Sequence, residues 1–140
     1  MNDIIEQWLP WPQDNKYLIS NQGRVKGKSG KILQPTLELN RGGYYFVNMD
    51  KPNTTNQRTK QAIHRLIMET FNPIPNSNEY VVDHINGIRT DNRLENLRWV
   101  SPEENTKLGN QNRQKINNKI NQLIQKYGYK KTEELILNIE

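Results

Sequence analysis

The sequence contains no cysteine among its 140 residues, which excludes disulfide bonds and cysteine-ligated zinc. Hydrophobic residues make up only 33% of the chain, so we expect a small core that could be split between two parts of the fold. No apolar run is long enough to span a membrane. The polar opening Met1-Asn2-Asp3 resembles no secretion signal, and we therefore expect a soluble, cytoplasmic protein without a membrane partner.

Acidic residues outnumber basic ones only in the centre of the chain. Residues 1–60 hold nine Lys/Arg and five Asp/Glu, residues 61–106 hold four and seven, and residues 107–140 hold seven and three, which together give 20 and 15. An acidic centre suits a metal site, and basic flanks suit the phosphates of a nucleic acid. An ordinary solvated surface of mixed charge is the alternative interpretation.

One stretch in the middle of the chain predicts a strand, a polar loop, a second strand and a helix. Tyr80–Asp83 has the composition of a short buried strand, and Asn86-Gly87 is a turn signal. Leu97–Val100 is a second apolar strand. Ser101 is followed three residues later by a glutamate, which forms a capping box, and Pro102 occupies the first helical position.

The polar residues of this stretch combine hard oxygen donors with a histidine. Asp83 offers a carboxylate oxygen and Asn105 an amide oxygen, and such hard donors suit Mg²⁺ or Mn²⁺. A histidine can take a proton from water, and a metal ion together with such a base is a minimal kit for hydrolysing a phosphodiester. His84 points away from Asp83 if the strand continues, or lies beside it if the strand breaks there.

The spacing of these residues resembles the HNH motif of the ββα-metal nucleases, above all the homing endonuclease branch. Asp83 and His84 are followed by Asn96 thirteen residues after Asp83, and by Asn105 twenty-two after it. The resemblance implies that His84 is the general base, that Asp83 and Asn105 bind one divalent ion, Mg²⁺ or Mn²⁺, and that Asn96 organises the catalytic loop. Each residue taken singly could instead be structural.

The resemblance also implies a fold and a partner. The expected class is α+β, with a small N-terminal antiparallel sheet over residues 1–60, a ββα-metal core over 61–110 and a helical extension over 111–140. The expected substrate is double-stranded DNA, nicked by a monomer or weak dimer that needs no small-molecule cofactor, in a bacterial host cell and with a phage origin as one option. The alternative is a non-catalytic DNA-binding protein on a degenerate nuclease scaffold.

The N-terminal third predicts a small antiparallel sheet. Tyr17–Ser20 and Arg24–Lys26 form a predicted hairpin about Asn21-Gln22-Gly23, and 44–49 and 59–62 add further strands. The pattern Tyr17-x-Ile19-Ser20-x-x-Gly23-Arg24-Val25 resembles NUMOD4, a DNA-binding module that precedes many homing nucleases. Trp8 and Trp11 lie among prolines that exclude a helix, and we expect them to cover the edge of this sheet.

Two groups of basic residues are candidates for DNA contact. The first group would form a basic stripe on the N-terminal ribbon, which fits the major groove of DNA. A charged edge strand that prevents aggregation would have the same sequence pattern. The second group surrounds the motif and could clamp phosphate. Arg98 could instead pair with Glu95 or Glu103. The members of the first group are Arg24, Lys26, Lys28 and Lys31; those of the second are Arg65, Arg89, Arg93 and Arg98.

His64 is the only histidine besides His84, and it stands in the run Ile63-His64-Arg65-Leu66. It could touch phosphate, orient the active site or serve a purely structural purpose.

Helices are predicted before and after the motif. Apolar spacing predicts a helix over 62–71 that packs on the core. Residues 107–113 are expected to form an extended segment or a fraying helix, and an amphipathic helix follows over 116–127. Gly128 would end that helix, and Thr132 would begin a last short one. Two such helices resemble a minimal helix-turn-helix, which could read DNA, dimerise or pack on the sheet.

Overall fold

The computed structural model of the chain describes residues 5–54 and 56–137. Within these residues it contains eight strands, three α-helices and three short 3₁₀ turns. The strands are β1 (Trp8–Trp11), β2 (Asp14–Ser20), β3 (Val25–Lys26), β4 (Thr36–Glu38), β5 (Tyr44–Asp50), β6 (Arg58–Ala62), β7 (Val81–His84) and β8 (Leu97–Val100). The helices are α1 (Ile63–Phe71), α2 (Pro102–Tyr127) and α3 (Tyr129–Leu137).

The first sheet is antiparallel with the order β1-β2-β3. The predicted hairpin between β2 and β3 is confirmed, and Gly23 adopts a φ of +92° in its turn. The two tryptophans belong to the edge strand itself, and the pairing of β1 with β2 is irregular between Pro10 and Trp11. An edge strand tolerates the proline because the missing N–H removes no bond from the sheet interior.

The second sheet has the order β4-β5-β6, and its central strand is the predicted aromatic and β-branched segment. Val47 and Met49 alternate with more exposed neighbours on β5 and face the core. Helix α1 follows β6 directly, and its buried residues Ile63, Leu66, Ile67 and Met68 have the predicted helical spacing.

One hydrophobic core joins these elements. Its members come from β1, β2, β3, β5, α1, β7 and β8, so the predicted boundary near residue 60 lies inside a shared core. The division of functions among 1–60, 61–110 and 111–140 stays a prediction.

Strands β7 and β8 form a two-stranded antiparallel ribbon. Asp83 pairs with Arg98 and His84 with Leu97 across it. Because β7 continues through His84, its side chains alternate, with Val82 and His84 buried and Asp83 on the other face. The ribbon therefore presents the acid and the histidine in opposite directions.

The C-terminal residues form a separate compact unit that begins at Pro102. The prediction of an extended or fraying segment over 107–113 is wrong, because α2 runs without interruption for 26 residues. Its interior contains a single glycine, Gly109, which costs about 1 kcal/mol relative to alanine and does not break the helix. The helix ends at Gly128, which has a φ of +80° and donates its N–H to the Ile124 carbonyl at 2.8 Å.

Helix α3 begins three residues earlier than predicted. Thr132 lies inside the helix and is buried, and its hydroxyl donates to the Gly128 carbonyl at 2.8 Å. Thr132 therefore bonds back to the preceding turn instead of capping the helix start. The predicted α+β class is confirmed. None of the helices described is long and apolar enough to cross a membrane.

Candidate active site

His84 is held by one hydrogen bond from a loop residue. The last position of β7 buries the side chain to 6% exposure. Its Nε2 lies 2.8 Å from Oδ1 of Asn92, which is also 6% exposed. Because the amide oxygen accepts, the imidazole donates from Nε2 and keeps the lone pair of Nδ1. Nδ1 has no hydrogen-bond partner within the described part of the chain, so it is the nitrogen able to accept a proton.

Two aromatic rings confine the imidazole. Tyr44, the first residue of β5, stacks on His84 with ring centroids 5.7 Å apart and an angle of 25°. His64, from the first turn of α1, meets His84 edge to face at 5.3 Å and lies 4.7 Å from Tyr44. The structure thus places the accessory candidate His64 against the predicted base.

His64 is electrically neutral at physiological pH. Burial lowers its pKa to about 4, and the neighbouring His84 and the guanidinium of Arg65 lower it further to a smaller extent. Its Nδ1 is buried and has no hydrogen-bond partner among the described residues. His64 therefore adds a ring to the packing around His84 without adding a charge.

Asp83 faces the other side of the ribbon and is bound by an arginine. Its Oδ2 accepts a hydrogen bond from Nε of Arg98 at 2.8 Å, and the Asp83 side chain is 19% exposed. The suggested pairing of Arg98 with Glu95 or Glu103 is wrong, because the ribbon register sets Arg98 opposite Asp83. Glu95 pairs with Arg93 instead, at 2.5 Å.

Asn96 fastens the loop between the two strands. Its Oδ1 accepts the Asn86 N–H at 3.0 Å, and its Nδ2 donates to Asn86 Oδ1 and to the Asp91 carbonyl, both at 2.9 Å. Its own carbonyl accepts the N–H of Ile85 at 2.8 Å. Hydrogen bonds from Arg93 and then Asn86 hold the pKa of the Asp91 carboxyl well below its usual range. The loop that carries Asn92 is thus tied at several points.

Asn105 lies in the first turn of α2, as predicted. This helix belongs to the second unit, and the role of Asn105 as a metal ligand stays a prediction. No group of three or more His, Cys, Asp or Glu that could hold a metal occurs among the described residues. The Asp83 carboxylate is a hard oxygen donor of the kind that divalent ions prefer, and the choice of Mg²⁺ or Mn²⁺ stays a prediction.

The N-terminal basic residues alternate along one segment as predicted. Arg24, Lys26 and Lys28 are more exposed than Val25 and Gly27 between them. Several of them already have partners within the chain. Arg24 forms an ion pair with Glu6, and both Arg24 and Lys26 lie over the Trp8 ring. Lys28 forms an ion pair with Asp50 at 2.7 Å. Lys31, by contrast, is exposed and has no ion-pair partner in the part of the chain that is described.

Three of the arginines around the motif form hydrogen bonds within the chain. Arg65 donates to the Tyr80 and Ser77 carbonyls, both at 2.8 Å, and lies 5.0 Å from the Trp99 ring centroid. Arg89 donates to the Gly42 carbonyl at 2.5 Å and lies over Tyr44, and Arg93 binds both oxygens of Asp91 at 2.8 Å. These contacts give Arg65, Arg89 and Arg93 structural tasks, and DNA contact by them stays a prediction.

Two residues of the site, Asn92 and Tyr44, were not among those predicted from the sequence. Asn92 stands among loop residues with the composition of any polar turn, and its hydrogen bond to His84 depends on the fold of that loop. Tyr44 precedes His84 by forty residues, so no local pattern could have connected them.

Comparisons with known proteins agree with this geometry. Residues 61–107 match the family model described as HNH endonuclease. This segment is therefore similar to HNH endonucleases and is called the HNH endonuclease domain. The domain spans α1, the β7–β8 ribbon and the start of α2, and it includes His64, Asp83, His84, Asn92, Asn96 and Asn105.

Two proteins similar to the chain come from Acanthamoeba polyphaga mimivirus, and both are named uncharacterized HNH endonucleases. One, L247, is 46% identical over 105 residues, which cover 71% of this chain and 25% of the relative. The other, L245, is 36% identical over 98 residues, or 69% of this chain and 28% of the relative. The chain thus spans about a quarter of the length of these relatives.

A solved structure is similar over most of the chain. This structure describes DNA binding and cleavage by the HNH homing endonuclease I-HmuI. The TM-score is 0.62 and the identity 26%, with 85% of this chain and 66% of the other covered. The resemblance of the N-terminal segment to NUMOD4 stays a prediction.

Proposed function

We propose that the chain is a divalent-metal-dependent DNA endonuclease of the homing type that hydrolyses phosphodiester bonds in duplex DNA. The observation that carries this proposal is the geometry of His84 inside the HNH endonuclease domain. Asn92 fixes Nε2 as the donor, and Nδ1 keeps its lone pair. The similarity to a homing endonuclease structure concerned with DNA binding and cleavage supports DNA as the substrate.

In this proposal His84 deprotonates the attacking water. Tyr44 and His64 confine the ring, and Asn92 holds its rotation, so Nδ1 has one direction in which to accept a proton. Because His64 stays neutral, it does not oppose the positive charge that His84 acquires on taking the proton. Asn96 keeps the loop of Asn92 in place through its bonds to Asn86 and Asp91.

Asp83 and Asn105 would hold Mg²⁺ or Mn²⁺ in this mechanism. When bound, the ion supplies Lewis-acid stabilisation of the charge on the scissile phosphate and on the leaving 3′ oxygen. Asp83 attracts cations, because it already binds the guanidinium of Arg98 at 2.8 Å. Arg98, once released, is free to contact phosphate. The basic residues of the N-terminal segment, Arg24, Lys26, Lys28 and Lys31, are proposed to contact the DNA backbone.

One base per chain makes nicking by a monomer the simplest outcome. The test is a pool of supercoiled plasmids with random inserts, incubated with the protein and Mg²⁺ or Mn²⁺. We expect conversion to open circles that EDTA abolishes and that His84→Ala slows by a factor of about 10² to 10⁴. His84→Ala should bind DNA as the parent does, which separates lost chemistry from lost binding.

Other outcomes would change the assignment. A linear product without an open-circle intermediate would indicate two coordinated cuts and thus two chains on the DNA. Salt-dependent binding without any cleavage in either metal would support the alternative of a DNA-binding protein on a degenerate nuclease scaffold. Cleavage by His84→Ala at the parent rate would refute the mechanism.

A further inference from the structure

The residue that orients His84 is itself held by the N-terminal sheet. Asn92 packs against Gly23, where an added Cβ would lie 3.3 Å from the Asn92 Cβ and 3.4 Å from its carbonyl carbon and oxygen. Such distances are tighter than most contacts in proteins, so the glycine allows the turn to approach the loop closely. The turn between β2 and β3 therefore forms one wall of the Asn92 site.

A backbone hydrogen bond ties the same two segments together. The N–H of Leu94, two residues after Asn92, donates to the Asn21 carbonyl at 2.9 Å. Asn21 is in turn anchored by Gln7, whose N–H donates to Asn21 Oδ1 at 2.9 Å and whose carbonyl accepts the Asn21 N–H at 3.0 Å. The turn is thus fixed on one side to the segment before β1 and on the other to the catalytic loop.

We infer that Asn92 is a positioning residue that fixes the tautomer and rotation of His84, and that the turn Asn21–Gly23 holds Asn92 in place. The inference rests on the proposed role of His84 as general base. An imidazole that can also protonate Nδ1 loses the lone pair that the base needs, whereas a buried acceptor at Nε2 excludes that form. The N-terminal sheet thereby supports the chemistry directly, in addition to any contact with DNA.

Two substitutions separate this role from ordinary loop stability. Asn92→Leu keeps a side chain of similar size and removes the acceptor, and Asn92→Asp keeps an oxygen that accepts from Nε2. We expect Asn92→Leu to lower kcat by a factor of about 10 to 100 with unchanged DNA affinity, as for other residues that orient a functional histidine. Asn92→Asp should stay within about tenfold of the parent.

The ring proton of His84 distinguishes the two roles, because a purely structural role of Asn92 would not affect its position or its exchange with water. In protein with ¹⁵N-labelled histidine, we expect a slowly exchanging proton on Nε2 with a nuclear Overhauser contact to the Cβ protons of Asn92. The proton should persist in Asn92→Asp and broaden by exchange with water in Asn92→Leu. This measurement on the unaltered protein keeps the test valid if Asn92→Leu does not fold.

The possible failures are distinguishable. A proton on Nδ1 of His84 in the parent protein overturns the inference, and so does cleavage by folded Asn92→Leu at the parent rate. If His84→Ala is inactive while Asn92→Leu is fully active, the proposed function stands and only this inference fails. If His84→Ala cleaves normally, the proposed function fails whatever the state of the ring proton.

Discussion

Asp83 and Arg98 face each other across the β7–β8 ribbon, with Nε of Arg98 2.8 Å from Oδ2 of Asp83. The guanidinium occupies an oxygen that a divalent ion would need, so the two cations compete. We therefore predict that Arg98→Gln binds Mn²⁺ more tightly than the parent when DNA is absent. A half-exposed ion pair contributes at most about 1 kcal/mol, which corresponds to an affinity gain of about two- to fivefold.

The measurement is a calorimetric Mn²⁺ titration of both proteins without DNA. Arg89→Gln is the matched control, because it removes an arginine that contacts Gly42 and Tyr44. Weaker Mn²⁺ binding by Arg98→Gln would mean that the arginine supports the metal site instead of competing for it.

The neutral state of His64 predicts a loss of stability in acid. Its pKa is about 4 in the folded protein and near 6.5 in the unfolded chain, so below pH 6.5 the unfolded state binds more protons. Stability should fall as the pH drops from 6.5 to 4 and level off with respect to this group below pH 4. The pKa difference corresponds to about 3 kcal/mol.

His64→Phe tests this prediction because phenylalanine fills a similar space and the buried Nδ1 of His64 has no partner to lose among the described residues. Urea unfolding at pH 7 and pH 4.5 should show a smaller loss of stability for His64→Phe than for the parent. Equal losses in the two proteins would show that His64 titrates normally. Comparing the two proteins cancels the contributions of Glu6 and Asp91, whose pKa values are also lowered.

The local parts of the site could be predicted from the sequence. The strand Leu97–Val100 and the helix start at Pro102 follow from apolar patterning and a capping signal, which act within a few residues. The place of Arg98 opposite Asp83 could not be predicted in this way, because a ribbon register depends on the length and shape of the loop.

The surroundings of His84 were beyond sequence reasoning for a different reason. Tyr44 and His64 come from a strand and a helix that meet only when the core assembles. The helical state of 107–113 was missed because asparagine and glycine lower helix propensity weakly, and a helix that has already started propagates through them.

A substitution at Gly23 should affect cleavage through Asn92. Gly23→Ala places a methyl group 3.3 Å from the Asn92 Cβ at a φ of +92°. We predict a stability loss of about 1 to 2 kcal/mol from the backbone conformation and, in addition, a lower cleavage rate from the displaced Asn92. Chemical unfolding and plasmid nicking measure the two effects separately.

Gly30→Ala is the matched control for that variant. Gly30 has a φ of +82°, and an added Cβ would meet nothing within 4 Å. It should lose a similar amount of stability and keep its cleavage rate. If both variants cleave alike at equal folded fraction, the contact between Gly23 and Asn92 has no catalytic consequence.

Arg65 and Lys31 should respond in opposite ways to substitution. Arg65 fixes two backbone carbonyls ahead of β7 and lies over Trp99, which a lysine cannot reproduce. We predict that Arg65→Lys lowers the free energy of unfolding by about 1 to 3 kcal/mol, because hydrogen bonds from a charged donor to the two carbonyls are lost or weakened. Its salt dependence of DNA binding should match that of the parent, since the arginine is committed to the fold.

Lys31→Ala should leave stability unchanged and reduce the slope of log K against log salt by about 1, because an exposed lysine that binds phosphate releases one counterion. Unfolding curves and binding titrations at several salt concentrations measure both quantities on the same variants. Because lysine keeps the charge, the slope is also measured for Arg65→Gln, and a reduced slope in Arg65→Gln would place this arginine on the DNA. An unchanged slope in Lys31→Ala would remove Lys31 from the proposed DNA surface.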